Sequence, residues 1–204
     1  MGKLWSILGK LVGSNNPPFI TAIYCGSEDL TDVDLYLGDF VLEVHDLQQN
    51  GYECNGQVHN VGLRHFILDA PARSFVKCCI GHGGYGACEK CTVVGVYEDG
   101  RFNYSHLGAD CRPRTDESYA NQEDRPHHTG ISPLQLLRIG LVSLFRLDTL
   151  HLVYKRVLLR YLEALVSWEG YWNPNADTVN AISTRMLALI PSCPWGFKVV
   201  RQVR

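Results

Sequence analysis

Cys88 and Cys91 stand two residues apart in the run "GYGACEKCTVVG". That spacing puts two thiolates on one tight turn, which is half of a tetrahedral zinc site. Two further ligands must come from elsewhere. A local set exists on paper: Cys78 or Cys79 with His82 completes a Cys/Cys/His/Cys knuckle. Gly83, Gly84 and Gly86 let the backbone turn tightly between the halves. The plainer reading is a group of small buried thiols in a core loop. A redox pair fits less well, because no strand runs into a helix that begins at the motif.

Asp69 closes the apolar stretch "FILDA". The C-terminal edge of strands in an open α/β sheet is where ligands and metals bind. A carboxylate there can hold Mg²⁺, with water and phosphate oxygens filling the other positions. The competing role is to cap a helix starting near Pro71. Further on, Asp148 and His151 are three apart on an expected helix and share its face beside the apolar stripe. They read as a site or as one satisfied buried pair. His127 and His128, in a polar loop, read as solvated, with a late zinc ligand as the alternative. There is no nucleophile elbow, P-loop or dinucleotide fingerprint.

These residues must be positioned by a chain of 204 residues, which suits one domain or one domain with a small insert. The net charge of −2 gives no global case for nucleic-acid binding. Basic residues do collect late, at Arg138, Arg146, Lys155, Arg156, Arg160, Lys198, Arg201 and Arg204. Eight cysteines without a secretory signal favour reduced thiols and metal over a disulfide framework. No apolar run is long enough to span a bilayer. Met1-Gly2 with Ser6 fits the loose myristoylation pattern, and the same residues also read as a short amphipathic segment or the start of an element.

The periodicities order the chain as strand, helix, strand, helix in its first half, an α/β arrangement. Pro17 and Pro18 lead into a buried strand from Phe19 to Tyr24. Val33, Leu37, Phe40, Val41, Val44 and Leu47 recur at helical spacing, with Thr31 and Asp34 as a capping box and Gly51 as the stop. A second strand ends at Asp69, and a short helix starts with Pro71 in its first turn. Asp99-Gly100 predicts a hairpin. Residues 105–132 are polar and without period. Leu147 to Trp168 then predicts a long amphipathic helix, followed by a shorter one stopped by Pro191. The organisation expected is a catalytic-type core with the Cys-x-x-Cys hairpin over 1–104, and a polar connector with a mainly helical region over 105–204.

Three stretches carry a resemblance: "LDAPARSFVKCCIGHGGYGACEKCTVVGVY", "RTDESYANQEDRPHHTGISPL" and "FRLDTLHLVYKRVL". Together they resemble the transposase-domain proteins common in invertebrate genomes, related to the CACTA-type cut-and-paste transposases. The family's blocks Asp-Ala-Pro-Ala-Arg, Gly-His-x-Gly-Tyr-x-x-Cys-x-x-Cys, Arg-Thr-Asp-Glu-Ser, His-x-Gly-x-Ser-Pro-Leu and Leu-Asp-x-x-His-Leu-Val all stand here in order. The likeness runs from "LWSILG" to "GFKVVRQVR". The family is similar to the wider group of Transib and the V(D)J recombinase core.

The resemblance implies an RNase H-like fold with a DDE triad, in which two Asp and one Glu hold two divalent metals, Mg²⁺ or Mn²⁺, for strand cleavage and transfer on DNA. By that match Asp69 is the second catalytic Asp. Cys88 and Cys91 supply half of a structural zinc site. His151 is the histidine of the Asp-x-x-His block, which lies near the active site. The implied partner is DNA at transposon ends, with a homo-oligomer as a further association, no membrane, and a nuclear location. The first Asp of the triad is expected upstream of "KLWSILG", and the zinc-completing histidines and catalytic Glu downstream of "FKVVRQVR". Arg146 replaces a frequent Pro, and "YKRV" a Cys-Leu-Gly-Val type sequence. No second acid is expected to follow a strand in the place the triad requires; Asp29 and Asp32, the nearest upstream acids, fall after the first strand, near a helix cap. The expectation is a fragment or degenerate remnant of a DDE transposase, unable to cleave DNA alone. Its rival is a non-catalytic zinc-binding module for DNA or protein, built on the local knuckle.

Overall fold

The computed structural model of the chain describes residues 3–28, 30–105, 111–161 and 175–188. Gly2 of the myristoylation-like pattern, Asp29, and the late cations Lys198, Arg201 and Arg204 lie outside the described residues. The fold is mixed α/β, in two compact units, Met1–Asp148 and Thr149–Arg204. The units thus divide after Asp148 and not after residue 104, because residues 111–148 pack into the first.

The first unit opens with β1 (Lys3–Gly9) and β2 (Phe19–Gly26), an antiparallel hairpin with a bulge at Ile7/Leu8. β2 is not the buried strand expected: Phe19, Ile20 and Ile23 are all exposed. The hairpin is fastened through Trp5, whose ring meets Tyr36 edge-on at 5.9 Å and Phe75 at 5.6 Å.

Helix α1 (Val33–Asn50) forms where its period predicts, but Asp32 caps it, accepting from the Leu35 amide at 2.9 Å. Thr31 therefore lies one residue outside the cap. Gly51 ends the helix with φ of 75°, a backbone angle that favours glycine. The buried stripe Leu37, Val41 and Val44 faces the 3₁₀ segment Pro133–Leu137. Leu134, Leu137, Leu141, Val142 and Phe145 complete that core.

Two further hairpins follow turn chemistry. β3 (Tyr52–Cys54) and β4 (Gln57–His59) flank Asn55-Gly56, with φ of 52° and 73°. β6 (Val96–Glu98) and β7 (Arg101–Asn103) flank Asp99-Gly100, with φ of 51° and 77°. Both have the positive angles of a type I′ turn, which suits the strand twist.

β5 (Phe66–Leu68) and β8 (Phe145–Leu147) form a parallel pair, aligned Phe66–Phe145, Ile67–Arg146 and Leu68–Leu147. Phe66 and Phe145 stack with centroids 4.7 Å apart, so the register is set by packing between residues far apart in sequence. Helix α2 (Ala70–Lys77) follows β5 directly, and α3 (Asp116–Ala120) lies between β7 and β8.

In the second unit, Leu150–Leu158 is a π-helix and α4 spans Ala176–Ala188. The long helix expected from Leu147 to Trp168 begins later, since Phe145–Leu147 is a strand, and residues 162–168 lie outside the described residues. Among the described residues no helix is long and apolar enough to cross a membrane.

Candidate functional site

Three short apolar residues make β5, and the chain turns straight into α2 at Asp69. Asp69 has the extended backbone of an N-cap, and its Oδ1 accepts from the Ala72 amide at 3.0 Å. Pro71 sits in the first turn, where its missing N–H costs nothing. Asp69 therefore takes the capping role weighed for it, from a position at the end of a strand.

The parallel register adds a residue that the sequence had put elsewhere. Leu68 pairs with Leu147, so Asp69 and Asp148 are the next residues at the same C-terminal edge. Neighbouring strands in a sheet run roughly 5 Å apart, so two acids that directly follow paired strand ends start from adjacent positions. Asp148 thus follows a strand that the sequence pattern did not show. Asp148 itself stands just before the helix that carries His151. The amphipathic pattern from residue 147 onward hid a three-residue strand that only its partner β5 specifies.

Arg73 and Lys77 lie four apart on α2, on one face, and both are buried. Both reach Glu89, between the two cysteines. Arg73 Nε donates to Glu89 Oε1 at 2.7 Å and Lys77 Nζ to Oε2 at 2.9 Å. Arg73 also donates to the Leu68 carbonyl at 3.0 Å, so one side chain ties the end of β5 to the cysteine turn. Burial alone raises the Glu89 carboxyl, but the charge of Lys77 and the hydrogen bonds from both cations outweigh it and hold the carboxyl below its ordinary range.

Lys90 points the other way. Its Nζ donates to the carbonyls of Val142 at 2.5 Å and Phe145 at 3.0 Å, at the entry to β8. Burial and nearby cations lower its affinity for a proton. Arg114 then closes the turn from outside. Its Nε donates to the Cys88 carbonyl at 3.0 Å, its backbone amide to the Lys90 carbonyl at 2.9 Å, and its guanidinium pairs with Asp124 at 2.6 Å. The two residues between the cysteines are thus the anchors. What remains at the turn is the thiol pair, with Cys91 and Cys88 Sγ atoms 3.3 Å apart and both half-buried. Burial is the largest influence on Cys88 and pushes its thiol up.

Residues 114–128 back this arrangement. The Tyr119 hydroxyl donates to the Lys77 carbonyl at 2.9 Å, and Lys77 Nζ lies 4.8 Å from the Tyr119 ring centroid. Burial raises the Tyr119 hydroxyl far above its ordinary value. Asp116 accepts from the amides of Val142 at 2.7 Å and Ser143 at 2.8 Å, holding the approach to β8. A Cβ at Gly140 would fall on that carboxylate and on the Ser143 hydroxyl, so the close approach needs glycine. His127 is fully buried, its Nδ1 2.7 Å from the Gly86 carbonyl. His128 stacks edge-on against Tyr119 at 4.5 Å. Of the two histidines read as solvated, His127 is therefore a core residue and His128 is half-buried against Tyr119.

The cysteine pair fits half of a thiolate zinc site in donor chemistry and proximity. The local knuckle is not assembled: among the described residues no group of three His, Cys, Asp or Glu is gathered for a metal. Cys79 is buried, pairs its backbone with His128, and its thiol interacts with Tyr119. His82 is exposed in the glycine loop. His151 belongs to the second unit, on the π-helix, with its Nε2 3.4 Å from Lys155 Nζ.

Glu89, Arg114 and Asp116 were not singled out from sequence. For Glu89 a signal existed: two basic residues spaced i, i+4 beside apolar Val76 call for a buried counter-charge. No protein-family profile, curated protein or solved structure matches the chain.

Proposed function

We propose that the chain is a fragment or degenerate remnant of a DDE transposase core, RNase H-like in ancestry, that no longer cuts DNA by itself. The observation that supports this most is the pair of carboxylates, Asp69 and Asp148, closing adjacent parallel strands in register. Strand-end carboxylates at such an edge are where an RNase H-like core holds its divalent metals. The five sequence blocks in family order support the same reading. Asp69 is the residue proposed to hold Mg²⁺ or Mn²⁺, with Asp148 beside it. In the ancestor those ions would activate water and then a DNA 3′-hydroxyl. Cys88 and Cys91 are proposed as one half of a zinc site. His151 carries over from the resemblance alone. DNA at transposon ends, self-association and a nuclear location belong to the same proposal.

The loss of cutting follows from charge. Two-metal chemistry needs both cations roughly 3.5–4 Å apart, bridged by shared oxygen ligands. Four positive charges then face two carboxylates at this edge. His151 adds no negative charge in either protonation state.

Incubating the chain with supercoiled plasmid and oligonucleotide duplexes, in Mg²⁺ and in Mn²⁺, tests this. No nicking is expected, and Asp69→Ala should behave as the parent does. Mn²⁺-dependent nicking that disappears in Asp69→Ala would show that further acids complete a working centre, and the remnant reading would fall.

A further inference from the structure

We propose that Cys88 and Cys91 are a reversible modification site, closing to an intramolecular disulfide in exchange with a small-molecule disulfide such as oxidised glutathione. This goes beyond the transposase reading and does not rest on it. The residue pattern alone points away from it, since the strand-into-helix setting of redox Cys-x-x-Cys motifs is missing.

The geometry of the turn changes that balance. The two sulfurs are already 3.3 Å apart. The frame that holds them there comes from their neighbours: Glu89 on Arg73 and Lys77, Lys90 on two carbonyls, and Arg114 on the turn's own backbone. Closing the sulfur–sulfur bond therefore needs motion of two side chains, while the charged anchors stay in place. Both thiols are half-buried, open to a small oxidant, whereas Cys78 and Cys79 are buried. A ring this small restricts the unfolded chain little, so the bond gains little from folding and reopens easily.

The chemistry balances as thiol–disulfide exchange. One cysteine, as thiolate, attacks a sulfur of the oxidised tripeptide and releases one tripeptide thiol. The second cysteine, as thiolate, attacks the mixed disulfide and releases the other. Two electrons and two protons pass from the protein to the oxidant, and an excess of thiol reverses both steps. In the closed state neither sulfur can bind a thiophilic cation, so the disulfide and metal binding exclude each other.

The test uses the full chain, stripped of metal with a chelator and equilibrated in buffers of oxidised and reduced glutathione. Samples are quenched in acid, alkylated with a maleimide, digested with trypsin and read by mass spectrometry. Cleavage after Lys90 separates the cysteines, so the disulfide joins the peptides 78–90 and 91–101. The expected result is that this joined pair becomes the main form, with loss of the maleimide at both positions, at ratios where exposed Cys25 and Cys54 carry glutathione. Cys88→Ser should abolish the joined pair and leave glutathione on Cys91. A joined pair that persists in Cys88→Ser assigns the link to Cys78 or Cys79 and overturns the proposal. Separate maleimide or glutathione on Cys88 and Cys91 at every ratio overturns it as well.

Discussion

Glu89→Ala should destabilise the first unit by about 3–5 kcal/mol, the cost of leaving buried charge without its partner. Two cations depend on this one carboxylate, at 2.7 and 2.9 Å, and the Lys77 side chain has 0% of its surface exposed. Neither can turn to water without opening the contact between α2 and the cysteine turn. Glu89→Gln keeps the shape and loses the charge, so it should recover only part of the loss. Urea unfolding of the parent and both variants, followed by the fluorescence of Trp5 beside Phe75 with the other three tryptophans replaced by Phe in every sample, measures the difference. A loss below about 1 kcal/mol in Glu89→Ala would place the pair among solvent-screened surface bridges and remove the anchor from the site. The carboxyl is held below its ordinary range, so its stabilisation is present above the unfolded value of 4.5 and fades as pH falls through the lower folded value.

Acid should weaken the fold earlier than that, through His127. Burial lowers the proton affinity of its ring, and the charges of Arg114, His128 and Lys77 add to the effect; the hydrogen bond to Gly86 opposes it. The group moves from 6.5 in the open chain to about 4 in the fold. Between these values the unfolded chain binds a proton that the folded chain does not. Stability therefore falls as pH drops from about 6.5 to about 4 and levels off below, a total of about 3 kcal/mol. His128 is shifted the same way and steepens the fall. Unfolding midpoints at pH 7, 6 and 5 should decline in order. His127→Gln should lower stability at pH 7 and flatten most of that slope. A midpoint that holds constant from pH 7 to 5 in the parent would mean that His127 meets solvent.

The sequence made some of this visible and hid the rest for physical reasons. Helix α1 was readable because its stripe repeats over many residues, and the Asp99-Gly100 hairpin because its turn chemistry is local. Asn55-Gly56 carries an equally local signal for the β3–β4 hairpin. Asp69 was found because a strand end and a helix cap coincide there. β8 was not found, because three residues carry no period and its register comes from Phe66 stacking on Phe145, far apart in sequence. Asp148 was misplaced for the same reason. Burial of His127 was unreadable for a related one: a polar run looks solvated until its partners, here Gly86, Arg114 and Tyr119, are brought around it.

Mn²⁺ titrated into isotopically labelled chain, with backbone amide signals followed by NMR, tests most directly whether the β5–β8 edge is a metal-holding edge. Mn²⁺ broadens the signals nearest to it. The prediction is broadening centred on Asp69, Ala70 and Asp148, weak at low metal and saturable, and lost in Asp69→Asn, whose amide side chain still caps α2. Broadening spread evenly over the acidic surface, or unchanged in Asp69→Asn, would contradict a metal-binding role for this edge and with it the transposase reading.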